Sequence, residues 1–198
     1  MPFSAVYDAC VLYPFEIRDV LMVAARTRHF AVYWTDEILE ECARNLIEDG
    51  RATREGMDRM FRDMKALYKR ATIPLADYEH LIEAMTCDEG DRHVLAAAVA
   101  KRIDVIVTYN HKHFPLASLA PHGIQTLDPD DFVRDVLDLG PELLVSEFIS
   151  RSEQRNAWAA RNGRPEVTPE RTAQYLAEGP MPKTGQFLLA ALKTYKAE

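Results

Sequence analysis

Short apolar runs that end in a polar residue alternate along this chain with segments of helical periodicity, and that alternation leaves few folds open. Phe3-Ser-Ala-Val-Tyr7 is a continuous apolar run of the length that suits a strand covered on both faces. A first strand is therefore expected over Ala5–Asp8. After a loop through Pro14, Val20, Leu21, Val23 and Ala24 mark a helix near Ile17–Arg26. His29–Trp34 reads as a second strand. Thr35 then suits the N-cap of a helix over Asp36–Glu48, with Leu39, Cys42, Ala43 and Leu46 on one face and Gly50 as its stop. Residues 53–70 carry an amphipathic pattern, and Pro74 opens another through Leu75, Tyr78, Leu81 and Met85. Asp88 suits the cap of a helix with Val94, Leu95, Ala98 and Val99 in the core and Asp91 on the same face. Ile103–Val107 and Gly123–Leu127 supply later strands, and Pro129 starts a helix toward Leu137. Helices interleaved with short buried strands predict a three-layer α/β/α domain with a mainly parallel central sheet.

Gly140-Pro141 divides an expected main domain, residues 1–139, from a helical extension, residues 140–198. Helices are expected over Leu143–Ala160, Thr168–Ala177 and Gly185–Tyr195, packed on the main domain through Phe148, Trp158, Phe187 and Leu188. No apolar stretch approaches the roughly 18 residues of a membrane helix, and the opening residues lack a secretory pattern, so the cytoplasm is the expected compartment. Cys10, Cys42 and Cys87 are odd in number and widely spaced, which argues against a disulfide framework or a structural zinc site. His111 and His113 lack a third nearby ligand and read as part of a polar loop. The net charge of −7 is unlike that of a protein binding nucleic acid through a broad basic surface. From Arg151 onward, however, eight Lys/Arg face five Asp/Glu, so the acidity lies in the preceding residues.

Asp8 ends the first strand, and open α/β folds bind ligands outside the carboxyl ends of such strands. Glu41 follows strand two, Asp91 opens a core-facing helix, and Asn110 lies just beyond a later strand. Carboxylates brought together repel each other, and a hard divalent cation makes their proximity favourable. Each residue also has a plainer reading. Glu41 shares its helix with Glu37 and Glu40 and suits a solvated face; Asp88 and Asp91 suit a first helical turn; Asp8 and Asn110 suit turns.

Four segments carry a resemblance: Val6-Tyr-Asp8-Ala-Cys-Val-Leu12; Trp34-Thr-Asp-Glu-Ile-Leu-Glu-Glu41; Asp88-Glu-Gly-Asp91-Arg-His-Val-Leu-Ala-Ala-Ala98; and Ile106-Val-Thr108-Tyr-Asn110-His-Lys-His-Phe114. In order and spacing they resemble PIN-domain nucleases, and among these the VapC-like toxins of prokaryotic toxin–antitoxin pairs. The resemblance implies that Asp8, Glu41 and Asp91 bind Mg²⁺, for which Mn²⁺ can substitute, with Asn110 at the fourth position and Thr108 orienting the set. Glu40 is the alternative second acid, Asp88 an auxiliary to the third, and His113 stands where a further acid often follows. It also implies hydrolysis of RNA to 5′-phosphate and 3′-hydroxyl ends, a cognate antitoxin protein as partner, and a homodimer as a common assembly. Arg92 and Lys112 near the site, with Lys101, His111 and His113, form one group for the RNA backbone. Arg151 and Arg155, with Arg161 and Arg164, form a second. Two other classes compete. One is a PIN-like module that binds RNA or protein without cleaving. The other is a phosphatase acting through an aspartyl phosphate, disfavoured because Cys10 stands where such enzymes carry a second acid.

Overall fold

A computed structural model describes residues 3–195, so the outermost residues of the expected 1–139 and 140–198 segments lie outside it. The chain parts into two compact units. The first comprises the chain up to Pro14 and Phe30–Asp128, and the second Phe15–His29 and the chain from Pro129. This division differs from a single boundary at 139/140. Its reason is visible within the second unit, where charged contacts tie the helix after Pro14 to the C-terminal helices.

The first unit is built on a five-stranded sheet, ordered β3-β2-β1-β4-β5 and parallel at every pairing. Its strands are β1 (Ser4–Tyr7), β2 (Ala31–Thr35), β3 (Thr72–Ile73), β4 (Val105–Val107) and β5 (Gln125–Leu127). Ala5, Val6 and Tyr7 are fully buried, as a central strand covered on both faces requires. The α/β class with a parallel sheet is as expected. Strand order reverses at β1: the chain moves from β1 out to β2 and β3, then returns to place β4 on the other side. The carboxyl ends of β1 and β4 therefore flank a topological switch point, where the connections leaving neighbouring strands of an open sheet diverge and leave a crevice.

Helices α1 (Ala9–Leu12), α3 (Asp36–Glu48), α4 (Arg54–Leu67), α5 (Leu75–Tyr78), α6 (Arg92–Lys101) and α7 (Leu116–Leu119) complete this unit. Four local readings need correction. The loop expected after Asp8 begins with α1, because the Asp8 side chain accepts the Ala9 N–H and caps that turn. The two-residue β3 is too short to leave a periodic signal, yet it is anchored by buried Trp34, whose indole N–H donates to Thr72 Oγ1 at 3.2 Å. The amphipathic segment after Pro74 is a four-residue helix followed by a 3-10 stretch, Glu79–Ala84. Asp88 caps a separate 3-10 turn, Glu89–Asp91, through the Gly90 N–H, so Asp91 precedes α6 instead of sharing its core face.

The second unit holds α2 (Phe15–Arg26), α8 (Pro129–Leu139), α9 (Pro141–Arg161), α10 (Pro169–Glu178) and α11 (Pro182–Tyr195). Asp19 of α2 accepts the Arg151 Nε–H of α9 at 2.6 Å, and Arg26 pairs with Glu147 at 2.6 Å. Buried Asp130 caps α11 by accepting the N–H groups of Lys183 and Thr184. Helices α10 and α11 meet at Gly185, where a Cβ would stand 2.2 Å from the Ala177 nitrogen, so only glycine permits this approach.

Candidate active site

Asp8 is 2% exposed and occupies the first position after β1. Its N–H donates to the Val107 carbonyl, extending the β1–β4 ladder by one bond and fixing the direction in which the side chain leaves. One carboxylate oxygen accepts the Ala9 N–H at 2.6 Å, and the other accepts the Thr108 hydroxyl at 2.6 Å. The Cys10 thiol lies 3.2 Å from that second oxygen. Thr108, fully buried at the end of β4, also accepts the Asn110 N–H at 2.9 Å. A single hydroxyl thus joins the ends of the two strands at the switch point and places Asn110 beside them.

Glu41 comes from α3. Thr35 caps this helix by accepting the Ile38 N–H, and the buried stripe Ile38, Leu39, Cys42, Ala43 and Leu46 turns Glu37, Glu40 and Arg44 outward. Glu41 stands at the edge of that stripe, half-buried. Burial and then the negative charge of Asp8 push its carboxyl above the ordinary range, against the opposing field of His93, while Asp91 adds to the rise. Glu40 is placed differently. Arg54 forks onto both its oxygens at 2.7 and 2.8 Å, which holds its carboxyl below the usual range.

Asp91 is half-buried at the start of α6. Burial raises its carboxyl first, Asp8 second, and the hydrogen bond from His113 Nδ1 at 2.8 Å opposes both. The Asp88 N–H donates to the His113 carbonyl at 3.0 Å, so the turn after Asn110 is pinned to the turn before α6. Ligand atoms of Asp88, Asp91 and His113 lie within 4.8 Å of one another. This group shares a cavity with Glu41 and Asn110, whereas Asp8 and Glu41 stand outside the group itself.

Two cavities of about 480 and 420 Å³ share Glu41 and Asn110 in their walls. Asp88, Asp91, His113, Arg44 and His93 line the larger, Cys10 and Tyr13 the smaller. Cys10, Arg44 and His93 were not singled out in the sequence as site residues. Cys10 carried a signal in standing two residues after Asp8; partial burial, and then the charge of that carboxylate, push its thiol up to about 12, which disfavours the nucleophilic thiolate. His93 is buried on α6 and its Nε2 has no hydrogen-bond partner among the described residues. Of the expected RNA contacts, Lys112 is exposed beside the site, and Arg92 reaches toward Glu83 at 3.9 Å. Arg151 and Arg155 belong to the second unit and face Asp19.

A PIN domain profile matches residues 4–112, over half of the chain and spanning β1 to the turn after β4. The chain belongs to the PIN-domain family. A Mycobacterium tuberculosis protein named "Putative ribonuclease VapC50" is 57% identical over 65 residues, which cover 33% of this chain and 38% of that protein. The match thus spans under two-fifths of the relative's length. No solved structure matches the chain. Asp8, Glu41, Asp91 and Asn110 all lie within the PIN-domain match, and among the described residues no helix is long and apolar enough to cross a membrane.

Proposed function

We propose that this PIN-domain protein is a divalent-metal-dependent endoribonuclease and the toxin of a toxin–antitoxin pair. The observation carrying the proposal is geometric: Glu41, Asp91 and Asn110 line one cavity, and Thr108 bonds both Asp8 and Asn110 at the carboxyl ends of β1 and β4; burial, and then the charge of Asp8, raise the carboxyls of Glu41 and Asp91. Acids held in such proximity need a counter-charge, and an all-oxygen set suits Mg²⁺ or Mn²⁺. The likeness to a protein named as a ribonuclease supports the substrate class, and its VapC name supports a cognate antitoxin as partner.

Asp8, Glu41 and Asp91 would hold the cation, with Asn110 beside them. When bound, it supplies Lewis-acid activation for attack of water on phosphorus and neutralises charge on the phosphate. The chain's own residues then have separable tasks. Thr108 fixes the Asp8 carboxylate, and His113 fixes Asp91. Without a counter-charge the acids would repel a phosphodiester, so metal dependence extends to substrate binding at this crevice. Glu40, forked by Arg54, is the weaker choice for the second acid. Asp88 is a positioning residue that pins the His113 turn.

Cleavage of a pool of structured RNAs, measured with Mg²⁺, with Mn²⁺ and with chelator for the parent and Asp8→Asn, tests the assignment. Metal-dependent cleavage lost in Asp8→Asn is expected. Equal activity in that variant, or no metal-dependent cleavage, refutes it and favours a binding module.

A further inference from the structure

We propose that the helical unit carries a stacking site for single-stranded RNA, separate in residues from the carboxylate crevice; the choice of RNA rests on the ribonuclease reading above. The site is a cavity of about 480 Å³, within the roughly 300–1,000 Å³ of small-ligand pockets. Phe15, at the start of α2, and Trp158, near the end of α9, line it and are 44% and 55% exposed. A single exposed ring needs no explanation, but two in one cavity mark a surface adapted to a ligand. Arg151, Arg155 and Arg164 line the same cavity, and no carboxylate does.

The walls are fixed in advance. Asp19 holds Arg151 at 2.6 Å and faces Arg155 at 3.7 Å, while Arg155 also donates to Thr172 Oγ1 at 2.8 Å. Arg155 Nε is buried without an acceptor among the described residues. Gly163, at φ +63°, turns the chain after α9, and the Arg164 N–H donates back to the Ala159 carbonyl at 2.9 Å. Asn156 then clamps both polar groups of Val167, donating to its carbonyl and accepting its N–H. The segment bearing Arg164 is thereby fastened along α9, and the Arg164 guanidinium forms no ion pair among the described residues.

One carboxylate, Asp19, is set against three guanidiniums, so the cavity retains excess positive charge beside the exposed Trp158 ring and a Phe15 ring over one face of which Arg18 stands at 5.6 Å. That combination matches an unpaired nucleotide: a base stacks on an aromatic face, and its phosphate takes the cation. A duplex hides its bases from such a ring, so a single strand is required. An acidic peptide satisfies the charge but offers no flat face for the rings.

The chain's two tryptophans make the test specific, because Trp34 is fully buried and only Trp158 can report on this cavity. Asp8→Asn protein in chelator is titrated with hexauridylate, with a self-complementary RNA duplex of the same length, and with hexaglutamate, following tryptophan emission and, by anisotropy, labelled ligand. The single strand is expected to quench Trp158. In the same background Trp158→Ala should weaken its binding about tenfold or more, with Trp158→Phe largely preserving it. Arg164→Ala should weaken it and reduce its salt dependence. Circular dichroism melts verify that the variants fold. Binding unchanged in both alanine variants, or equal binding by the duplex, overturns the proposal. Equal binding by hexaglutamate also overturns it and points to an acidic protein segment instead. RNA binding at Trp158 in a parent that never cleaves would refute the nuclease reading alone; cleavage with Trp158-independent binding would refute this one alone.

Discussion

Thr108→Val is the sharpest test of how the crevice is held. Valine matches threonine in shape at this fully buried position but removes the hydroxyl that donates to Asp8 at 2.6 Å and accepts from Asn110 at 2.9 Å. A hydrogen bond to a charged group contributes about 1.5–3 kcal/mol, and the half-buried Asn110 N–H recovers part of its loss from water. The net cost is about 2–3 kcal/mol, or roughly 4–12 °C in Tm for a chain of this size. Released from Thr108, Asp8 also loses its fixed orientation, which should raise the Mg²⁺ concentration for half-maximal cleavage about 10–100-fold. Thr108→Ser keeps the hydroxyl and forfeits one methyl, about 1 kcal/mol, with its Mg²⁺ requirement near that of the parent. Thermal melts and Mg²⁺ titrations of RNA cleavage read both quantities. A Val variant matching the parent in both, or a Ser variant as impaired as Val, refutes the role assigned to this hydroxyl.

Glu41→Gln should reduce cleavage to background while Glu40→Gln leaves it nearly unchanged, with little change in a melt because the Arg54 pair it loses is exposed to solvent; the reverse ranking in a cleavage assay would install Glu40 as the second acid. Burial, then the Asp8 charge, raise the folded-state pKa of Glu41 and Asp91, so the metal-free fold binds more protons than the unfolded chain between the ordinary and raised values. The stability these groups contribute is complete below that window and lost as pH rises through it. Melts in chelator should show this decline, Asp91→Asn should shrink it, and a profile identical in that variant would count against the coupling. Gly185→Ala should destabilise the helical unit by about 1–3 kcal/mol, since the new methyl must push Ala177 away, and an unchanged melt would contradict the close approach of α10 and α11.

The sequence exposed the sheet well because its strands are buried on both faces, and Ala5–Tyr7 and Val105–Val107 accordingly read as unbroken apolar runs. Thr35 and the stripe on α3 were legible for the same kind of local reason: a cap and a helical period both lie within a few residues. What stayed hidden depends on contacts distant in sequence. Thr72–Ile73 becomes a strand only because β2 lies beside it, and α2 joins the C-terminal helices through Asp19 and Arg26, partners of residues more than a hundred positions away. Around the crevice, order and spacing singled out the acids but not Cys10, Arg44 or His93. Nor does spacing show what distinguishes the two candidate second acids in the fold: Arg54, brought to Glu40 by the start of α4.

Asp8 shows why a turn residue and a metal ligand need not be rival readings. A carboxylate offers about four acceptor positions. The Ala9 N–H, the Thr108 hydroxyl and the Cys10 thiol contact take up to three, leaving at least one for an incoming cation. The capping bond that made Asp8 look ordinary is then part of what aims it. In Asp8→Asn the amide oxygen can retain the Ala9 bond, and the amide nitrogen replaces the oxygen beside Thr108. Thr108 can turn its hydroxyl hydrogen toward Cys10, which lies 3.3 Å away, and accept from the amide as it already accepts from Asn110. The fold should therefore survive with a loss of about 1–2 kcal/mol, while the negative charge is gone. Isothermal titration with Mn²⁺ separates the two roles: a folded Asp8→Asn protein with parental Mn²⁺ affinity would leave Asp8 as a cap alone.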